Sequence, residues 1–333
     1  VSLKARAIRA VSSALYRSRL LGPVAAAASY ARPAAGFPIL TFHRVNDDHD
    51  PFFPAVPTPV FEERMAYIAR HYLVLTVEEL VERMQRGAAP RNALAITFDD
   101  GYRDTLTHAA PVLARHGLRA TIFLATGYIG TPEPPWFDRV AQAFKLARAA
   151  EIALGGSVLP LRSEADRLRA WRLALDWLKG LPDEERRRSA DGLVAALRPR
   201  TPDRPRRVML TWEEVEALRG LGFSVGAHTV THPILSRMAP AAAREEIRGS
   251  RAAIENALGI PVRAFAYPNG GPGDYNQAVT ALVAEAGFTC AATTRRGLNN
   301  SRTPVLELRR GGPWEEHLPT YALKLAYYRL AGA

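Results

Sequence analysis

The sequence predicts an α/β fold in which about seven parallel strands alternate with helices in a barrel-like arrangement, and three observations carry that expectation. A helix–glycine–strand unit recurs: Arg115-His116-Gly117-Leu118, Leu221-Gly222-Phe223, Leu258-Gly259-Ile260 and Ala286-Gly287-Phe288 each end a helix-like stretch. Their glycines suit the left-handed position that closes a helix, and an apolar run follows each time, over 120–124, 223–227, 262–266 and 288–292. Residues 93–98 form a continuous apolar run, as expected of a strand buried on both faces. Strands alternating with helices imply a parallel sheet, and their number over 333 residues favours closure into a barrel.

The elements follow in order. Residues 1–36 form a basic segment with an expected helix, and a domain over 37–333 opens on a strand at 38–42. Thr76-Val77-Glu78-Glu79 and Thr211-Trp212-Glu213-Glu214 both fit the capping box, threonine at the cap and glutamate three residues later. Between the strands at 120–124 and 223–227 the rhythm breaks. About 131–208 is too long for a loop, and Trp171, Leu173, Leu175 and Leu178 amid Arg, Asp, Glu and Lys read as helix. This stretch is expected to be a helical insertion over one end of the barrel, a lid or a substrate-facing cap.

Composition narrows the class. The chain is 47% hydrophobic and 23% charged, ordinary for a globular protein, and has no apolar run of about 18 residues to cross a membrane. Its single cysteine, Cys290, excludes an internal disulfide and any multi-cysteine metal site, and its apolar neighbours predict a buried thiol. The net charge of +11 is uneven: Lys4, Arg6, Arg9, Arg17, Arg19, Arg32 and Arg44 precede the first acidic residue. Three readings compete for this segment: a solvated helix packed on the domain, a peripheral contact of residues 1–30 with anionic lipid, or a poor secretory signal. Arg17 and Arg19 lie deep for a signal, so a cytoplasmic or membrane-peripheral location is favoured over a secreted or periplasmic one. No nucleic-acid motif accompanies the charge, so no nucleic-acid partner is expected.

Two clusters carry chemistry. Thr97-Phe98-Asp99-Asp100-Gly101 comes directly after a strand, where parallel α/β proteins place their active sites. Two adjacent carboxylates there raise one another's pKa unless a cation intervenes, and strand alternation turns one of them away from the other. A solvated Asp-Asp-Gly turn is the bland alternative. His228-Thr229-Val230-Thr231-His232 follows another strand, and histidines four apart can converge on one ion across a tight turn. Pro233 argues against a long helix there, and no glutamate follows His228, so the HExxH protease pattern is absent. Together an aspartate and two histidines make three ligands with open positions, a catalytic arrangement, and the second aspartate is free to act as a base.

These two motifs resemble the signatures of the NodB-homology polysaccharide deacetylases, carbohydrate esterase family four. Phe265-Ala266-Tyr267-Pro268-Asn269-Gly270 is similar to the third motif, and the resemblance spans roughly 38–310. It implies a distorted (β/α) barrel and hydrolytic removal of acetyl groups from an N-acetylated glycan. By this resemblance Asp99 is the base, while Asp100, His228 and His232 hold a divalent metal, most often Zn2+, although two imidazoles and a carboxylate suit other first-row ions too. A dication there would lower the pKa of water and polarise the amide carbonyl, with the Asn269 backbone N–H as a further donor. Tyr267 and Pro268 would shape the groove wall.

The chain departs from the family pattern in two places. An arginine paired to the catalytic aspartate often stands where this sequence has Ala266. Arg263 is the nearest substitute as a tether for Asp99, with Arg309 and Arg310 as rivals. The family's acid is often a histidine after a late strand, yet 305–310 contains none and His317 lies in a loop beyond. His43, at the end of the first strand, is then the expected acid, an order that resembles the exopolysaccharide-associated branch, as does the opening Leu40-Thr41-Phe42-His43-Arg44-Val45. Two other functions stay open from sequence: a related amidase on a small amide, and a carbohydrate-binding relative without catalysis. The sugar, its linkage and the oligomeric state are not legible.

Overall fold

A computed structural model describes residues 3–23, 36–90, 92–201 and 207–331. Its main sheet has seven strands, β1 (Ile39–Phe42), β2 (Leu73–Leu75), β3 (Ala93–Phe98), β4 (Ala120–Leu124), β7 (Phe223–Ala227), β8 (Ala264–Ala266) and β9 (Cys290–Ala292). All its pairings are parallel, in the order β1-β3-β4-β7-β8-β9, with β2 also on β3. The two edges are bridged by residues 308–311: Leu308 pairs with Ala292, and the Gly311 N–H donates to the Ile39 carbonyl at 3.0 Å. The sheet is thus the distorted (β/α) barrel expected. The glycines at 117, 222, 259 and 287 all have positive φ, as the repeated unit requires.

Alternation sorts every strand into an inner and an outer row. Leu40, Phe42, Leu94, Ile96, Phe98, Ile122 and Leu124 face outward into the core shared with the surrounding helices. Ile39, Ala93, Ala95, Phe123, Ala264, Ala266, Cys290 and Ala292 fill the interior. The inner row is mostly alanine, so one large ring, Phe123, can span the barrel. A Cβ on Gly226 would lie 2.5 Å from that ring, so glycine at 226 is what admits it. Helix α3 (Val77–Gln85) closes the lower end with Val77, Leu80, Val81 and Met84. Its start is fixed by the full capping box of Thr76 and Glu79.

Between β4 and β7 lies the insertion: α5 (Trp136–Lys145), the antiparallel hairpin β5 (Glu151–Leu154) and β6 (Ser157–Pro160), α6 (Glu164–Gly180) and α7 (Asp183–Leu197). It has a core of its own, built on Val140, Phe144, Ala174, Leu178 and Leu197, which Phe52 from the loop after β1 joins. The hairpin, absent from the sequence expectation, follows from the Gly155-Gly156 turn, both residues having positive φ.

The basic helix α1 (Leu3–Arg17) packs on the last helix, α11 (Leu318–Ala331). The buried hydroxyls of Ser12 and Thr320 lie 3.0 Å apart across this contact. The apolar stretch weighed as a signal region, Leu20 to Ala28, lies from residue 24 onward outside the described residues. No described helix is long and apolar enough to cross a membrane.

Helix α8 (Trp212–Gly220) anchors the far end of the insertion to the first motif. Its capping-box residue Glu214 takes hydrogen bonds from Arg207 at 2.6 and 2.8 Å and from Arg103 at 2.8 Å. Arg207, then Arg103 and the Thr211 N–H, pull the Glu214 carboxyl from 4.5 down to about 2 against the opposing effect of burial. A lowered carboxyl stabilises the fold above its unfolded pKa and loses that contribution as pH falls through the folded one. We expect Glu214→Gln to cost about 2 kcal/mol at pH 7, less than the shift alone implies because both arginines are partly exposed. Urea unfolding should show this gap closing between pH 4.5 and about pH 2; a gap independent of pH would refute the ion-pair account.

Candidate active site

Inward-facing positions at the upper strand ends bring the predicted residues together. His43 continues the inner row of β1, Asp99 that of β3 and His228 that of β7. Because β1 pairs directly with β3, His43 Nε2 lies 3.9 Å from Asp99 Oδ2. Arg44, beside it, is pinned at 2.8 Å to Asp104, which also accepts from Asn46 at 2.8 Å. The end of β1 is thereby tied to the turn after Asp100.

Asp99 is buried and accepts two 2.6 Å hydrogen bonds from Arg310, whose Nε donates to the Thr293 carbonyl at 2.9 Å. Burial would raise the Asp99 carboxyl. Arg310, with help from His228 and His43, outweighs it and holds Asp99 below the usual carboxylate range, so it is ionised at neutral pH. The tether is therefore Arg310, one of the two rivals weighed, and Arg263 is corrected. Arg263 is exposed and precedes β8, at the opposite end of that strand from the site. Ala266 leaves room in the interior, and the guanidinium enters it from the closing segment 308–311.

Asp100, His228 and His232 form a buried cluster whose ligand atoms all lie within 4.8 Å of one another. His228 and His232 present Nε2 to Asp100 Oδ1 at 3.6 and 3.4 Å. The His228 Nδ1 is 2.7 Å from the Ala266 carbonyl, so Nδ1 carries the proton and the Nε2 lone pair points at the carboxylate. Burial, with Arg310 adding to it and Asp99 opposing, lowers His228 to about 4, and burial with His228 and Lys179 lowers His232 well below its ordinary value, so both rings are neutral at pH 7. Burial, Asp99 and Asp138 push Asp100 the other way, well above its ordinary value. Two imidazole lone pairs and a buried carboxylate oxygen with no hydrogen-bond partner repel one another unless a cation or proton sits between them. The donor set and spacing fit a divalent ion with open positions.

The backbone is strained around this cluster. Asp100, Thr229, His232 and Asn269 all have positive φ, between 57 and 73°, a region rarely used by non-glycine residues and least of all by a β-branched one. Glu246 of α9 (Pro240–Leu258) holds the turn by accepting from the N–H groups of Val230 and Thr231, both at 2.8 Å, and from the Thr231 hydroxyl at 2.6 Å. The insertion grips it from the other side: Trp136 Nε1 donates to the His232 carbonyl at 3.1 Å, and Phe137 meets the His232 ring edge-on at 4.9 Å.

These groups open onto a pocket of about 150 Å³ lined also by Leu175, Lys179, Asn269 and Thr294. The Asn269 side-chain amide is buried without a partner, and no backbone acceptor takes its main-chain N–H among the described residues. Tyr267 and Pro268 do not line the pocket and are corrected as wall residues. Tyr267 belongs to the outer row, fully buried, with its hydroxyl donating to the Leu306 carbonyl at 3.0 Å. Sequence reasoning missed Lys179, whose ammonium makes no ion pair among the described residues although burial lowers its pKa. Helical periodicity marks 131–208 as helix but does not say which face looks down on the barrel.

The family model for polysaccharide deacetylases matches residues 86–291, well over half of the chain. The YxkH protein of Bacillus subtilis (strain 168), whose name is that of a polysaccharide deacetylase, is 35% identical over 98 residues, 29% of this chain and 34% of its own length. The match thus spans about a third of that curated relative. Among solved structures, IcaB from Ammonifex degensii aligns with a TM-score of 0.56 at 18% identity, covering 86% of this chain and 97% of its own. The deacetylase PplD of Streptococcus pyogenes, in complex with acetate, aligns at 0.55 and 18%, covering 83% and 91%. At such identities the structural likeness shows the fold. The family match, over the segment that carries Asp99, Asp100, His228, His232 and Asn269, places the chain in the polysaccharide deacetylase family.

Proposed function

We propose that the protein is a metal-dependent hydrolase that removes N-acetyl groups from an N-acetylated glycan. The observation that carries this reading is the convergence of Asp100, His228 and His232 beside an Asp99 kept ionised by Arg310. A divalent ion held by that triad, zinc being the favoured one, would supply Lewis acidity to the amide and lower the pKa of the attacking water. The protein's own groups do the rest. Asp99 takes the water's proton through Oδ2, the oxygen nearest both His43 and His228. The Asn269 main-chain and side-chain amides face the carbonyl oxygen of the substrate. His43, half exposed at the mouth, gives a proton to the departing amine. The pocket is smaller than the roughly 300 Å³ of a site that engulfs a whole ligand, so the acetamido group enters and the sugar stays at the rim.

Elemental analysis tests the triad. We expect one divalent ion per chain, and His228→Ala or His232→Ala should lower occupancy and acetate release together. Loss of outer-shell partners alone costs about 10–100-fold in metal affinity, so loss of a ligand should cost at least the upper end of that range. Full occupancy in the double variant would refute the assignment.

A further inference from the structure

The basic helix α1 has two unlike faces. Ile8, Ser12, Leu15 and Tyr16 share one side at helical spacing and are buried or half-buried. Leu15 and Tyr16 pack against the outer core, Ser12 meets Thr320 of α11, and the Tyr16 ring lies 6.3 Å from that of Tyr67 in α2 (Thr58–His71). The opposite side carries Arg6, Ala10, Ala14 and Arg17, flanked by Arg9 and Val11, all of them exposed. Arg19, just past the helix, is exposed as well. None of these four arginines makes an ion pair among the described residues. Neither α1 nor α11 contains an acidic residue. Two acids precede α11: Glu315 pairs with Lys324, and Glu316 is exposed. Exposed apolar surface gathers here too. Of the eight large hydrophobic side chains exposed among the described residues, Val11, Leu20 and Tyr327 belong to α1, the turn after it and α11, at 55, 52 and 61%. The cationic surface is thus interspersed with groups that gain by leaving water.

We propose that the outer face of the α1–α11 pair docks the protein on an anionic lipid surface. Arginine suits that boundary: its alkyl stem lies along the apolar layer while the guanidinium reaches the headgroup phosphates. Tyrosine has the same division between an apolar ring and a polar tip, and settles at the headgroup level. The attraction adds up over the unpaired charges, each basic residue close to an anionic leaflet multiplying partitioning about fivefold. Val11 and Leu20 then supply the shallow apolar contact that charge alone lacks. A nucleic acid fits this face less well. Reading or stacking on bases takes polar or aromatic side chains among the basic ones, and α1 sets Ala7, Ala10, Val11 and Ala14 there instead. A second copy of the chain would bring two surfaces of like charge together. Because the inner face of α1 is fixed on the barrel by buried contacts, docking through the outer face holds the whole catalytic domain at the membrane surface rather than on a loose tail.

Co-sedimentation of the full chain with lipid vesicles tests this, using phosphatidylcholine alone and phosphatidylcholine mixed with phosphatidylglycerol. The protein should bind the mixed vesicles, leave the neutral ones in solution, and be released as salt rises. Arg6→Gln, Arg9→Gln, Arg17→Gln and Arg19→Gln combined should weaken binding by on the order of 10²–10³-fold. Val11→Ser with Tyr327→Ser should weaken it about fivefold. All six positions are exposed, so the melting temperature should stay at the wild-type value in both variants. Absence of binding to the mixed vesicles, equal binding to neutral ones, or binding that the arginine variant retains would each overturn the proposal. Duplex DNA or RNA bound in place of vesicles, and lost in the arginine variant, would give the face to a nucleic acid. Self-association lost in that variant, without vesicle binding, would give it to a second copy. Should the arginine variant fail to fold, salt puts the same question to the wild type: vesicle binding that does not fall as salt rises overturns the proposal.

Discussion

Asp99→Asn should retain its metal and lose on the order of 10²–10⁴ in turnover, the usual consequence of removing a general base. The neighbouring Asp100→Asn should instead lose metal, with activity falling in proportion. The division follows from the environments of the two carboxylates. Asp99 has both oxygens engaged by Arg310 at 2.6 Å, which leaves little of it for a cation. Asp100 Oδ1 is buried, without a hydrogen-bond partner, and faced by two imidazole nitrogens. The asparagine at 99 also sets an NH₂ against a guanidinium that only donates. A lower melting temperature, matching about 1–3 kcal/mol for the donor left unpaired, should therefore accompany the lost activity. Metal content, turnover and melting temperature of both variants decide the matter. If both lose metal equally and excess zinc restores both, the assignment of roles fails.

How much of this site was legible in sequence depended on whether its parts obeyed local rules. Strand-end positions follow from apolar runs and their period of two, so Asp99, Asp100, His228 and His43 could be placed from the chain alone. The same alternation puts Tyr267 in the outer row with Phe265, opposite to Ala264 and Ala266; the third motif alone suggested a wall residue. Arg310 obeys no such rule. It sits on an irregular segment that closes the barrel through two contacts, Leu308 with Ala292 and Gly311 with Ile39, and only the closed fold shows that a residue there reaches Asp99. Glu246 and Trp136 act on the His228–His232 turn from helices 16 and 96 residues away in sequence, a distance over which neither periodicity nor capping speaks. The positive φ values of Thr229 and His232 were invisible for a related reason: the chain gives no glycine to mark them, and the strain is borne by hydrogen bonds from elsewhere.

His43→Ala should keep both metal and fold yet lose roughly 10²–10⁴ in turnover, while His317→Ala should stay near wild type. Amide hydrolysis needs an acid for the leaving nitrogen, because an amide anion departs far less readily than an amine. Of the two histidines, His43 lines the pocket with Asp99, Asp100, His228 and His232. His317 lies at the start of α11, its Nδ1 2.8 Å from the Thr320 hydroxyl and its Nε2 3.4 Å from Ser13 of α1, so its partners belong to the contact between the terminal helices. Partial desolvation where its inner edge faces the pocket lowers the pKa of the half-exposed His43, Asp99 opposes this, and Arg310 and Lys179 add to the lowering. The Asp99 charge is thus what opposes the loss of the form that can donate, which couples the two groups: in His43→Ala the rate should lose the limb that reports the protonated imidazole. Substrates with a better leaving group than an amine offer a second check, since they need less help from an acid; the His43→Ala deficit should shrink on an O-acetyl ester. A deficit that is the same for ester and amide would make His43 a positioning residue for Asp99, and a large loss in His317→Ala with His43→Ala near wild type would move the acid to the C-terminal helix.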